Sequence, residues 1–310
     1  MNRCPITYEL CGSHKYSQKG LYLLSPKLKE LHDFPFTAKE QLELAAQLAT
    51  KLSIQGVQPK LSVTLNVTKG QFEIANAGGT FIFKSPHHLY NELPQNEDVT
   101  MRLAAIVDLE VPLHGMIYNY DGTLTYFIKR FDRLPRGHKV AVEDFSQLMG
   151  FSRETKYESS MEQLVSVIEK HCSFPLLEKI KLFRLTIFNF LVGNEDMHLK
   201  NFSLIRDQEK VCLSPVYDLV NSTIILQRSL EEIALPLHGK KSRLTAHDLI
   251  DYFGKERLGI SDAVISEEME RFHKAHSVWQ LLLEESFLSL EMQKKYMALL
   301  KERFSRLVRV

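Results

Sequence analysis

"GNEDMHLKN", residues 193 to 201, follows directly on "FPLLEKIKLFRLTIFNFLV", residues 174 to 192. The longer run is apolar nearly all round, which marks a helix buried at the centre of a helical domain. Behind it, Asp196, His198, Lys200 and Asn201 set a carboxylate, an imidazole, an amine and a carboxamide within six residues. Polar residues at the end of a buried helix serve either as a cap, here using Gly193 and Asn194, or as an active-site loop. The choice depends on what the rest of the chain brings to them.

Downstream, "CLSPVYDLVNS" reads as a short strand ending at Asp218, and "NFSLIR" between the two stretches is strand-like as well. Asp196 and Asp218 then bracket a short hairpin and can face one metal from two sides. A hard cation such as Mg²⁺ takes oxygen ligands and is commonly held by one or two side chains plus substrate phosphates, which suits Asn201 and Asp218. Asp196 is left to accept a proton from an attacking hydroxyl.

Upstream, Thr37 with Glu40 three residues later predicts a capping box ahead of "LELAAQLATKL", whereas residues 1 to 36 read as irregular. "SIQGVQPK" (residues 53 to 60) is a turn in which Gly56 lets the backbone approach a phosphate; an ordinary β-turn has the same pattern. The alternation of Leu61, Val63, Leu65 and Val67 predicts a half-buried strand. Further strands lie in "QFEIANAGGTFIFKS", a helix in "EDVTMRLAAIVDL", and a hairpin in "LHGMIYNYDGTLTYFIKRFDR" with Asp121-Gly122 as its two-residue turn. Lys84 ends the strand "TFIFK" on the face of Ile82, where it can neutralise a phosphate; Glu97 on the next helix is its natural partner, and a solvated strand-end lysine is the plainer alternative. From about residue 142 the pattern becomes that of long helices. The fold class is therefore α+β, with a β-rich N-terminal lobe over residues 1 to 132 and a mainly helical lobe over residues 133 to 310. A cleft between two such lobes is a common ligand site.

The composition narrows the partners. Lys plus Arg number 39 against 38 Asp plus Glu, so no global field draws the chain to nucleic acid or anionic membranes. The basic run "HGKKSR" (residues 238 to 243) reads as a solvated loop, with contact to a phosphate-rich substrate as the alternative. Four cysteines, of which only Cys4 and Cys11 lie close together, give no paired zinc spacing and fit a reducing cytoplasm. The N-terminus lacks a signal-peptide core, and the most apolar run is broken by Glu178, Lys179, Lys181 and Arg184, so neither secretion nor a membrane span is expected.

In order, a Gly turn, a Lys-bearing strand, a helix with Glu, a hairpin, and then Asp, Asn and a second Asp in a helical lobe match the parts needed for phosphoryl transfer. The segments "GVQPKLSV", "FIFK", "NEDVTMRLA", "FIKRFDR", "VEDFSQLMGF", "GNEDMHLKNFSL" and "LSPVYDLVNS" together resemble the HipA family of bacterial serine/threonine kinase toxins, in particular its short, HipT-like members. The resemblance covers residues 50 to 300 and implies a two-lobed, protein-kinase-like fold, with ATP and Mg²⁺ bound. By motif it implies Asp196 as catalytic base, Asn201 and Asp218 as Mg²⁺ ligands, and Lys84 on the ATP phosphates with Glu97 as its partner. Gly56, Gln58 and Lys60 would form the phosphate-side loop, the backbone of Lys129 and Phe131 the adenine-binding hinge, and His198 and Lys200 would order the catalytic loop or the γ-phosphate. Ser53 matches the serine that family members autophosphorylate, where about −1.5 to −2 added charges would oppose ATP. The family further implies an aminoacyl-tRNA synthetase as substrate class and a helix-turn-helix antitoxin. Full-length relatives carry an N-terminal subdomain absent here, so a small protein resembling that piece is an expected partner.

Two other readings fit some of the same features. A small-molecule kinase of the aminoglycoside or lipid type shares the Asp, Asn, Asp apparatus. A kinase-like binding module would be marked by loss of a catalytic group, yet Lys84, Asp196, Asn201 and Asp218 are all present.

Overall fold

The structure, a computed structural model, describes residues 1–49, 60–87, 89–134, 137–152, 155–226 and 231–307. The chain forms two compact units. The first comprises Met1–Val99, Pro112–His138 and Glu285–Leu288; the second comprises Thr100–Val111, Lys139–Glu284 and Ser289–Val310.

The first unit opens with a short hairpin, β1 (Asn2–Arg3) and β2 (Leu10–Gly12), and helix α1 (Gln18–Leu24), in a stretch for which the sequence predicts no regular element. These pieces are too short to display a period; α1 is marked only by its cap, where Ser17 accepts the Gly20 N–H at 3.0 Å. Helix α2 (Ala38–Ala49) begins with the expected capping box: Glu40 accepts the Thr37 amide at 2.7 Å and Thr37 Oγ1 accepts the Glu40 amide at 3.2 Å. An antiparallel sheet follows, built from β3 (Lys60–Asn66), β4 (Gln71–Ile74), β5 (Phe81–Lys84), then β6 (His114–Tyr118) and β7 (Leu124–Lys129), in the order β4-β3-β5-β7-β6. Alternation places Leu61, Val63, Phe72, Phe81, Phe83 and Phe127 in one core, with Phe83 5.0 Å from Phe34 and 4.9 Å from Phe72 between ring centroids. The β6–β7 turn is wider than two residues. Tyr118 pairs with Leu124, Asn119 O accepts the Gly122 amide, and Gly122 sits at φ +80°, so Tyr120 and Asp121 are central and Gly122 takes the left-handed position of a bulged loop.

Helix α3 (Leu93–Ile106) starts in the first unit and ends in the second. The second unit then contains β8 (Val142–Asp144), α4 (Phe145–Leu148), α5 (Met161–His171), α6 (Pro175–Val192), β9 (Ser203–Asp207), β10 (Lys210–Leu213), α7 (Ser222–Leu226), α8 (Asp262–Glu284) and α9 (Leu290–Leu307). The strands form a small antiparallel sheet in the order β10-β9-β8. Helix α6 is the centre of the core: Leu182, Phe183, Ile187, Phe188, Phe190 and Leu191 are fully buried. Two charged residues of that run are accounted for by partners. Arg184 makes a two-pronged pair with Glu268 at 2.7 Å, and buried Glu178 accepts the Leu213 amide at 2.9 Å. Trp279 packs edge-on against Phe188 and donates its indole N–H to Leu103 O at 3.0 Å.

The stretch "LTAHDLIDYFGKERLG" has an α-helical period, yet His247–Arg257 winds as a π-helix. Gly254 in it lies against Phe183, where a Cβ would come within 2.8 Å of the ring. Within "HGKKSR", Lys240 pairs with buried Asp248 at 2.8 Å and Lys241 with Glu231 at 3.3 Å, so these two lysines have carboxylate partners. Among the described residues no helix is long and apolar enough to cross a membrane.

Candidate active site

The polar loop begins where α6 stops. Gly193, at φ +70°, closes the helix in the left-handed conformation, and a Cβ there would lie 2.5 Å from Leu299 and 2.7 Å from Thr223 Oγ1. Its carbonyl accepts hydrogen bonds from Thr223 Oγ1 at 3.0 Å and Ser222 Oγ at 3.2 Å, while Ser222 Oγ accepts the Glu195 amide at 2.7 Å. The start of α7 thus anchors the helix end from a segment nearly thirty residues away.

From Leu191 to Leu199 every residue is buried except Asp196, which is exposed. The loop turns one carboxylate outward and secures its backbone from within: Asp196 O accepts the His198 amide and Asn201 Nδ2, both at 2.9 Å. With Nδ2 donated there, the amide oxygen is the end of Asn201 left for coordination. The Tyr157 hydroxyl donates to Asp196 Oδ1. Burial, followed by the adjoining Asp196 carboxylate, raises the Tyr157 phenol above its ordinary range, so it remains a donor. His198 stands edge-on to the Tyr157 ring at 5.1 Å. Burial holds its imidazole below the ordinary histidine value against the pull of Asp196 and Asp218, which keeps it neutral at neutral pH. Lys200 follows in the short 3₁₀ turn Leu199–Asn201, and its charge opposes the rise that burial gives to the Asp144 carboxyl.

The second strand of the β9–β10 hairpin ends at Leu213, five residues short of Asp218, because Pro215 has no N–H to offer a ladder. Asp218 lies in an irregular segment at φ +60°, a left-handed conformation that Asp adopts more readily than most side-chain-bearing residues. Its neighbour Tyr217 ties this segment to the loop: the phenol donates to Lys200 O at 2.9 Å and lies 2.5 Å from Ser203 Oγ. Asn201 and Asp218 are oxygen donors from the two sides of one hairpin, a small set of the kind Mg²⁺ takes when phosphates complete its shell. Among the described residues, no group of three or more His, Cys, Asp and Glu forms a metal cluster.

In the first unit, Lys84 and Glu97 form an ion pair with each side chain 4% exposed, and the Lys84 ammonium lies 5.6 Å from the Tyr126 ring centroid. Lys60 is the register partner of Lys84 across β3 and β5. Lys129 ends β7 with its side chain exposed and its N–H donated to Leu113 O at 2.7 Å. That amide is therefore in use within the fold. Phe131 lies two residues on, in the segment where Arg130 clamps Asp132 at 2.9 and 2.7 Å. Ser53, Gly56 and Gln58 lie outside the described residues.

Four residues that hold the loop, Tyr157, Tyr217, Ser222 and Thr223, do not stand out in the sequence. Tyr217 adjoins Asp218 and could have been found by asking what fixes that carboxylate. Tyr157 lies 39 residues before Asp196 in a stretch without hydrophobic period, and no local signal identifies it.

The model of the family described as "HipA-like C-terminal domain" matches residues 52–279. A Haemophilus influenzae protein named "Putative kinase" is 29% identical over 238 residues, which are 71% of this chain and 68% of that protein. The serine/threonine-protein kinase toxin HipA of Shewanella oneidensis is 31% identical over 191 residues, 55% of this chain and 43% of that toxin. The chain therefore spans between two fifths and about two thirds of these two relatives. Among solved structures, Shewanella oneidensis HipA, in a complex with HipB and its operator DNA, aligns with a TM-score of 0.68 at 23% identity, covering 90% of this chain and 72% of that one. The Helicobacter pylori proinflammatory kinase CtkA aligns with a TM-score of 0.60 at 16% identity, covering 83% and 91%. These two likenesses establish a kinase-like fold.

Proposed function

The chain belongs to the family of HipA-like C-terminal domains, and from that premise we propose that it is an ATP-dependent serine/threonine protein kinase acting as the toxin of a toxin–antitoxin system. The observation that carries the reading is the exposure of Asp196 alone in a run of buried residues, with Asn201 fixed to its backbone. A carboxylate held outward on a rigid loop is what a general base for an incoming hydroxyl requires. Asp196 accepts the acceptor proton. Asn201, through its amide oxygen, and Asp218, through its carboxylate, hold Mg²⁺, which when bound neutralises charge on the phosphates. Lys84, oriented by Glu97, neutralises ATP phosphate oxygens; Lys60, Gly56 and Gln58 contribute on the phosphate side. His198, buried and neutral, and Lys200 order the loop. The segment of Lys129 and Phe131 meets the adenine, with Lys129 limited to its carbonyl.

Support for a toxin role comes from the relative named as a kinase toxin and from the structural neighbour assembled with HipB and operator DNA. On that basis a helix-turn-helix antitoxin is the proposed partner, an aminoacyl-tRNA synthetase the proposed substrate class, and Ser53 the proposed autophosphorylation site. The test is phosphate transfer from labelled Mg·ATP to a panel of protein acceptors, paired with growth after induction, for the wild type and Asp196→Asn. The variant is expected to lose transfer and toxicity together. Equal transfer and equal growth arrest from both would refute the kinase mechanism.

A further inference from the structure

We propose that Tyr157 is a resident stand-in for the acceptor hydroxyl, occupying Oδ1 of the base Asp196 until a protein acceptor displaces it. The inference rests on the reading of Asp196 as the general base and adds how access to that base is controlled.

Three observations point the same way. First, the Tyr157 hydroxyl donates to Asp196 Oδ1. That is the bond an attacking serine or threonine hydroxyl must make before its proton is taken. Second, Asp196 is the exposed member of a buried run, so its carboxylate faces outward, and Tyr157 is what meets it there. Third, the tyrosine is held lightly. The residue is 39% exposed, its ring meets His198 edge-on at 5.1 Å and the Lys156 ammonium at 4.8 Å, and the adjoining backbone is linked to the loop by a long 3.3 Å bond from the Leu199 amide to Lys156 O. A change of side-chain rotamer frees the carboxylate without disturbing Asn201, which is bonded to the Asp196 backbone rather than to its side chain.

The function of such a plug follows from the chemistry. In the transfer, the acceptor O–H proton passes to the Asp196 carboxylate, the acceptor oxygen bonds to the γ-phosphorus, the bond from that phosphorus to the bridging oxygen breaks, and ADP leaves. Water is a competent acceptor for the same step and yields inorganic phosphate. A phenol hydrogen-bonded to Oδ1 competes with water for the base and exchanges with a hydroxyl delivered on a protein chain, whose further contacts offset the loss of the tyrosine bond.

The contrary role is positioning: Tyr157 could orient Asp196 for catalysis. The two roles predict opposite signs. Three full-length proteins, wild type, Tyr157→Phe and Asp196→Asn, are compared by phosphate release from Mg·ATP without any protein acceptor. Binding of the Mg²⁺ complex of a non-hydrolysable ATP analogue is measured by calorimetry in parallel. Loss of a hydrogen bond to the exposed, charged Asp196 is expected to raise hydrolysis by on the order of tenfold in Tyr157→Phe, with analogue affinity unchanged. Tyr157→Leu serves as a second variant and is expected to show the same rise. Hydrolysis equal to or below wild type in both, with analogue binding retained and Asp196→Asn inactive, overturns the plug and leaves the kinase reading standing. Undiminished hydrolysis in Asp196→Asn overturns the base itself, and the plug with it.

Discussion

The Lys84–Glu97 pair offers the sharpest test of the energetics. Each side chain is 4% exposed, so both charges have lost nearly all their water, and their mutual attraction must offset two desolvation penalties. Glu97→Gln keeps the shape and removes the negative charge, which deprives a buried ammonium of its carboxylate. Breaking a buried pair in this way costs about 3–5 kcal/mol. The Tyr126 ring, 5.6 Å from the ammonium, continues to attract it and places the expected loss toward the lower end, about 3 kcal/mol. Replacing both partners, Lys84→Met with Glu97→Leu, removes both penalties and is expected to be neutral or stabilising by up to about 4 kcal/mol. The double variant should therefore be more stable than the single one by about 3 kcal/mol or more, while both lose nucleotide affinity. Trp279, the one tryptophan, belongs to the second unit and does not report on this pair. The appropriate assay is hydrogen exchange of the β5 and α3 amides across a urea series. A single variant within about 1 kcal/mol of wild type, or a double variant no better than the single, would show that the pair behaves as a solvated surface pair and would refute the reasoning.

Two further predictions concern the second unit. Tyr217→Phe removes the hydroxyl shared by Lys200 O and Ser203 Oγ and is expected to cost about 1–2 kcal/mol of stability. It should also raise the Mg²⁺ concentration for half-maximal nucleotide binding, and an unchanged Mg²⁺ titration would separate Tyr217 from the placement of Asp218. Glu232 is partly buried, which alone would raise its carboxyl, but hydrogen bonds from Arg306 and the Leu244 amide and the charges of Arg303 and Arg306 hold it below its ordinary value of 4.5. A folded value below the unfolded one means stability that is present above about pH 4.5 and lost as pH falls through the folded value. Glu232→Gln should lower stability by about 2 kcal/mol at pH 7, with the gap to wild type closing below pH 4.5; equal gaps at pH 7 and in acid unfolding would contradict the assignment.

What could be read in the sequence divides along a physical line. The Thr37–Glu40 box and the alternation of Leu61 and Val63 are patterns complete within one element, and the structure has them in place. The β6–β7 turn is longer than Asp121-Gly122 predicts because that pair also suits a bulged loop, and the register is set by Tyr118 opposite Leu124. A strand reaching Asp218 is stopped at Leu213 by Pro215, which has no N–H for the ladder. In the site, Asp196 and Asn201 are legible because loop chemistry five residues apart is local. Lys84 and Glu97 are nearly so, since strand alternation and the next helix bring them to one face.

The residues that hold the loop follow a different rule. Ser222 and Thr223 reach Gly193 O, Tyr217 reaches Lys200 O, and Tyr157 reaches the Asp196 carboxylate, each from a segment well separated in the chain. All four act through a hydroxyl, a group that bonds equally to carbonyls, carboxylates and water and so leaves no spacing by which its partner can be inferred. A candidate base such as Asp196 announces itself because an exposed charge after a buried helix needs a reason. A hydroxyl that bonds to it needs none until the fold brings the two together, which is why the Tyr157–Asp196 bond emerges only in three dimensions.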